Sequence, residues 1–171
     1  MDVKDIHVLI KFKVYKFLLS LILVLTLFCI DRFSKIYIIE LYEKTGVTEV
    51  YLTSFLNSYL VWNTGIAFGL FSLSDELTYN LFTALIVLIN LIIIYLAVVT
   101  KDFRKYFFLL ILGGSFGNLF DRIYYRSVPD FIDFHIGNFH WFIFNLADIF
   151  ITVGVICLIL VELLYKKETN E

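Results

Sequence analysis

Residues Leu77 to Val99 read LTYNLFTALIVLINLIIIYLAVV, 23 positions without a charge. A bilayer core needs roughly 20 predominantly apolar residues in helical form, so this run crosses a membrane without help. The rest of the chain agrees. Of 171 residues 60% are hydrophobic and 18% charged, with one proline and a mean hydropathy of +0.86. Soluble domains sit nearer half apolar and about a quarter charged. A net charge of -2 and a pI of 5.9 offer nothing to nucleic acid. Cys29 and Cys157 both fall in apolar runs and read as small buried hydrophobes. The length suits one integral membrane domain over 1–171, without a soluble module, linker or internal repeat.

Working outward, three further runs are candidate spans. Phe17 to Ile30 is short but extends to Val14, because Lys11, Lys13 and Lys16 can snorkel. Its basic start suggests a signal peptide, yet no small-residue cleavage site follows, so it reads as an uncleaved span. Tyr106 to Phe120 contains Gly113, Gly114 and Gly117, and Trp141 to Tyr165 is interrupted by Asp148. The expectation is therefore a membrane all-α protein of four transmembrane helices, near 14–31, 77–99, 105–121 and 141–165. Residues 31–76 and 121–140 would share one side. The other side would hold both termini and the 100–105 loop, with nine of the 14 lysines and arginines. The positive-inside rule assigns that side to the cytoplasm. In the outer loops, Val47 to Trp62 is rich in Val, Tyr, Thr, Leu and Phe, while Ile132, Phe134 and Ile136 alternate with Asp133 and His135 before Gly137-Asn138. A small extracytoplasmic β element is expected there.

The unusual polar residues gather at that outer side. Asn118, Asp121 and Arg122 share a helix face through i, i+3 and i+4 spacing, and Gly114 and Gly117 before them let helices approach closely. Asn145 and Asp148 repeat the i, i+3 relation. Counted from Trp141, Asp148 would lie about 10 Å along the last span. Asp31 and Lys35 read as an i, i+4 ion pair where the first span ends. Asp121 beside Arg122 reads as a positioning network, since arginine keeps a neighbouring carboxylate ionised. Asp148 has no lysine or arginine within two turns of its own helix. A carboxylate so placed within apolar sequence marks a functional site by default. With Asp130 at the edge of another apolar segment, it suggests two carboxylates sharing a proton and activating water, the chemistry of an aspartic protease.

Other chemistries fit less well. Ser34 and Lys35 are adjacent and project about 100° apart on a helix, unsuited to a serine–lysine pair. Asp130, Asp133, His135 and His140 match no established zinc spacing, Asp133 reads as the solvated face of a strand, and no metal or cofactor is expected. A transporter would distribute polar groups through the membrane, whereas the inner halves of the second and fourth spans offer only Asn90 and Glu162.

Five motifs, in order, resemble the lipoprotein signal peptidase (signal peptidase II) family of bacterial intramembrane aspartic proteases. They are Asp31-Arg32-Phe33-Ser34-Lys35, Asn63-Thr64-Gly65-Ile66-Ala67-Phe68-Gly69, Gly113 to Arg122, Val128-Pro129-Asp130-Phe131-Ile132, and Phe144-Asn145-Leu146-Ala147-Asp148. Arg32 and Ser34 stand where that family usually has glutamine and threonine, Ile66 replaces a common alanine, and Pro129 precedes the aspartate. The resemblance implies removal of the signal peptide from diacylglyceryl-modified prolipoproteins, on the amino side of the lipidated cysteine. It also implies a bacterial inner-membrane enzyme acting as a monomer among lipids, with an extracytoplasmic β-cradle and a catalytic dyad of Asp130 and Asp148. Asn63, Gly65, Asn118, Asp121, Arg122 and Asn145 would support that dyad and contact substrate, with Asp31 and Lys35 behind them.

Overall fold

The computed structural model describes residues 3–47, 49–65, 76–137 and 139–168. The chain runs α1 (Val3–Thr45), β1 (Val50–Thr53), β2 (Leu56–Asn63), α2 (Glu76–Val99), α3 (Arg104–Tyr124), β3 (Val128–Ile136), β4 (Phe139–Phe144) and α4 (Leu146–Glu168). It is a mostly helical membrane protein with a small open sheet. Among the described residues three helices are long and apolar enough to cross a bilayer: α1 over Ile10–Thr45, α2 over Glu76–Val99, and α4 over Leu146–Leu164. The fourth, α3, spans 21 residues, about 31 Å of helix. It falls outside that apolar class because it carries Gly113, Gly114, Ser115, Gly117, Asn118, Asp121 and Arg122, and it packs against α1, α2 and α4. Leu109, Ile111 and Leu112 of α3 are buried, whereas Leu88, Leu91 and Tyr95 of α2 and Ile156 and Leu160 of α4 face outward.

Glycines set how closely α3 is enclosed. A Cβ at Gly117 would collide with the Asp31 carboxylate, and one at Gly114 with the Ala147 carbonyl. These two positions carry α3 onto α1 and α4 at the level where the polar residues lie.

Two helix boundaries differ from the sequence expectation. The first helix does not end at Asp31, since α1 runs unbroken over its 43 residues. No glycine or proline interrupts it before Gly46, which has φ +65 and returns its N–H to the Tyr42 carbonyl at 3.0 Å. A carboxylate does not break a helix when its charge is met, and Lys35 lies 2.9 Å from Asp31 one turn on. At the other end, Trp141 to Phe144 is strand and not the start of the last helix. These aromatic and β-branched residues pair with β3 through Ile132↔Phe144 and Asp133↔Ile143. Asp148 consequently sits in the first turn of α4, not two turns along it.

The sheet is antiparallel in the order β1-β2-β3-β4. Pro129, opposite Trp62, lies where β3 has β2 on one side but has not yet met β4, whose pairing begins at Ile132. A missing N–H is tolerated there. The alternation along β3 runs opposite to a solvated polar face: Asp133 and His135 are buried, while Phe134 and Ile136 are exposed. The expected turn at Gly137-Asn138 is described at Gly137, with φ +59, while Asn138 lies outside the described residues.

Candidate active site

Asp130 stands on β3 opposite Val61, and Asp148 on the first turn of α4. Asn145 connects them. It is fully buried just before α4, and its side-chain oxygen accepts the Asp148 N–H at 3.1 Å. The Asp148 Oδ2 accepts the Asn145 backbone N–H at 3.1 Å in return. This reciprocal pair is a capping box, the local reason the helix begins here, and it holds the Asp148 carboxylate in one orientation. With its oxygen occupied, Asn145 turns its amide nitrogen to Asp130 Oδ1 at 2.6 Å.

Two other asparagines follow the same rule. The Asn63 oxygen accepts the Gly65 N–H at 2.9 Å, and its Nδ2 donates to Asp130 Oδ2 at 2.8 Å. The Asn118 oxygen accepts from Lys35 Nζ at 2.8 Å, and its Nδ2 donates to Asp148 Oδ1 at 2.8 Å. A primary amide can donate or accept, but each oxygen here is already taken by a fixed donor. All three therefore present N–H groups to the two carboxylates, holding both with neutral donors, and neither is ion-paired among the described residues.

The charges lie one layer behind. Lys35 has no exposed surface, and its three protons reach Asp31 at 2.9 Å, Asp121 at 2.7 Å and Asn118 at 2.8 Å. Asp31 also accepts the Ala147 N–H at 3.0 Å, which ties α1 to the start of α4. Asp121 pairs with Arg32 and Lys35 of α1, and not with its neighbour Arg122 as the sequence suggested. Arg122 turns the other way, donating to the Gly65 carbonyl and lying 5.3 Å from the Phe82 ring centre. The sequence likewise placed Asp31–Lys35 at a helix end, but the pair is mid-helix and fully buried.

Asp130 and Asp148 line one cavity of about 390 Å³ together with Asn63, Asn118 and Arg122 and an apolar wall of Phe82, Ile86, Ile89 and Ile151. A second cavity of about 260 Å³ also borders Asp148, lined by Trp141, Phe144 and Val153. Burial of Asp130, with the Asp148 charge adding to it, pushes its carboxyl up to about 7 against the pull of Asn63, Asn145 and Lys35. The wider cluster contains four carboxylates (Asp31, Asp121, Asp130, Asp148) and three cations (Arg32, Lys35, Arg122). By formal charge the carboxylates outnumber the cations by one.

The eight supporting residues drawn from the sequence all lie in this assembly, within the two layers behind the carboxylates. The Ile66–Gly69 part of the Asn63 motif lies outside the described residues. Arg32, Ser115 and Thr152 were missed. Ser115 and Thr152 line the cavity, and their spacing carried the signal, three residues before Asn118 and four after Asp148. Arg32 was passed over beside the two charges flanking it. Asp133, expected to face water, is buried and bound to His140 at 2.8 Å. Asp133, His135 and His140 bring ligand-type atoms within 4.8 Å of one another.

The profile of the Signal peptidase (SPase) II family matches residues 23–164. A lipoprotein signal peptidase of Pelagibacter ubique is 52% identical over 94% of this chain and 98% of its own length. The chain belongs to the signal peptidase II family. A lipoprotein signal peptidase of Anaplasma phagocytophilum is 38% identical over 91% of this chain and 98% of its own. A solved bacterial membrane enzyme, determined by the in meso method at 2.3 Å resolution, superposes with a TM-score of 0.70 at 28% identity, covering 89% of this chain and 91% of that one. Membership makes this protein an intramembrane protease of the aspartic type.

Proposed function

We propose that this signal peptidase II, an intramembrane protease of lipoprotein precursors, uses Asp130 and Asp148 as its catalytic pair. It would cleave diacylglyceryl-modified prolipoproteins on the amino side of the lipidated cysteine. The observation that carries the assignment is the asparagine arrangement: both carboxylates share a cavity, both are bound by amide N–H groups, and neither has an ion-pair partner among the described residues. Such carboxylates can exchange a proton, whereas Asp31 and Asp121 each have Lys35 as an ion-pair partner.

The pair holds one proton between its two members. The ionised member takes a proton from water as the water oxygen attacks the scissile carbonyl. The neutral member donates a hydrogen bond to the developing oxyanion. Collapse breaks the C–N bond, and the proton just acquired goes to the leaving amine of the lipidated cysteine. The Arg122 Nη1, buried without a partner among the described residues, is available to a substrate carbonyl. The apolar cavity walls exclude water beyond the one consumed and suit acyl chains or an apolar signal segment. Neither role calls for a metal or cofactor, and a single chain carries every residue of the site.

The basic-residue distribution supports cytoplasmic termini and an active site at the outer face of the bacterial inner membrane. A lipidated cysteine exported through that membrane would arrive at that level. Purified protein in detergent should cleave a diacylglyceryl-modified prolipoprotein and leave its unlipidated form intact. Substantial turnover by either Asp130→Asn or Asp148→Asn would remove the pair from the mechanism.

A further inference from the structure

We propose that Asp133, His135 and His140, at the far end of the β3–β4 hairpin from Asp130, form a binding site for one Zn2+ ion. His135 and His140 are register partners across the hairpin, which places their side chains on one face of the sheet. Asp133, two residues before His135, adds a carboxylate to that face. Its Oδ2 lies 2.8 Å from His140 Nδ1 and 4.0 Å from His135 Nδ1. A tetrahedral zinc ion with bonds of about 2 Å holds its ligand atoms about 3.3 Å apart, a spacing these two distances bracket. The two rings lie 5.1 Å apart between centres and close to parallel.

The second observation is a shortage of donors. His135 Nδ1 and Asp133 Oδ1 are both buried without a hydrogen-bond partner among the described residues, their side chains 10% and 4% exposed. Asn57, the register partner of Asp133 on β2, has an Oδ1 in the same condition, while its Nδ2 is occupied by Glu49. Three orphaned atoms able to accept, on neighbouring positions of one sheet face, describe the surroundings of a cation. Each unsatisfied buried acceptor is otherwise a cost of folding. The set of two imidazoles and one carboxylate suits zinc and leaves a fourth position for water.

This site is separate from the carboxylate pair. None of its three residues lines the cavity shared by Asp130 and Asp148, and the odd spacing between Asp130 and Asp133 puts them on opposite faces of β3. Its effect would be to clamp the hairpin whose other end carries Asp130 on one strand and leads into Asn145 and Asp148 on the other. Metal would add rigidity there and no chemical step.

Full-length protein without a polyhistidine tag, stripped with chelator and titrated with Zn2+ against a chromophoric competitor, should bind one ion per chain and melt at a higher temperature when loaded. Co2+ in place of Zn2+ should give the absorption of a tetrahedral centre. His140→Ala, at a half-exposed position that leaves the core closed, should weaken binding at least about 10–100-fold, the range that loss of even an outer-shell partner produces. His135→Ala should do the same, while Asp130→Asn should bind Zn2+ like the parent. The absence of saturable one-to-one binding in the parent, or unchanged affinity in a folded His140→Ala, would overturn the proposal.

Discussion

Replacing Asp130 by asparagine should flatten the pH dependence of stability by an amount that the structure specifies. Its carboxyl ionises near 3.8 in water and at about 7 in the folded protein. The native state therefore keeps this proton over a range in which the unfolded chain releases it. The associated stability is fully present below 3.8 and is lost as pH rises through about 7. At about 1.36 kcal/mol per pH unit, a displacement of roughly three units corresponds to about 4 kcal/mol. An amide at this position has no proton to lose. It also places one N–H group against the Asn63 or Asn145 amide, a mismatch of about 1–3 kcal/mol. That penalty is the same at every pH and cancels from the comparison. The stability difference between variant and parent should thus move by about 4 kcal/mol, in favour of the variant, between about pH 4 and pH 8. Equilibrium unfolding of both proteins in mixed micelles, across a buffer series, measures it directly. Parallel stability–pH curves would refute the reasoning, because they would mean that Asp130 titrates in the fold as it does in water.

Three further outcomes are expected. Asp130→Asn and Asp148→Asn should each abolish cleavage of a lipidated substrate, and the double variant should lose no more than either alone, since the two act as a unit; the parent should show a bell-shaped pH–rate profile and keep its rate under a strong chelator. Lys35→Met should destabilise the protein by about 3–5 kcal/mol, because Asp31 and Asp121 would be left buried beside Arg32 alone, and thermal melting at neutral pH reads this loss. For topology, with Cys29 and Cys157 replaced, a cysteine at exposed Thr45 should react with an impermeant reagent in cells whose outer barrier is open, and one at exposed Lys101 only after the inner membrane is broken; the reverse pattern would place the carboxylate pair away from exported substrate.

The amino-acid sequence determined the membrane class, the helical positions of the uncharged runs and the identity of the polar residues that gather. Those properties are local. An uncharged run of 23 residues is sufficient in itself for a span, and an aspartate at the head of an apolar segment is conspicuous whatever surrounds it. Boundaries were less legible because they depend on partners distant in sequence. Trp141 to Phe144 is apolar enough for a helix and becomes a strand only because β3 lies beside it. Asp31 looks like the end of a span until α3 brings Gly117 against it and Asp121 against its partner Lys35.

Pairing of charges was decided by tertiary structure alone. Adjacent in sequence, Asp121 and Arg122 suggested a pair, yet consecutive helical side chains point about 100° apart. One meets α1 and the other meets Gly65. The asparagines show the same division most clearly. Their presence could be read, but an amide becomes a committed donor only when something distant occupies its oxygen. That role falls to Lys35 of α1 for Asn118, the Gly65 backbone for Asn63 and the first turn of α4 for Asn145. Residue type supplies the hydrogen-bonding options, and the three-dimensional packing of four helices and a sheet selects among them.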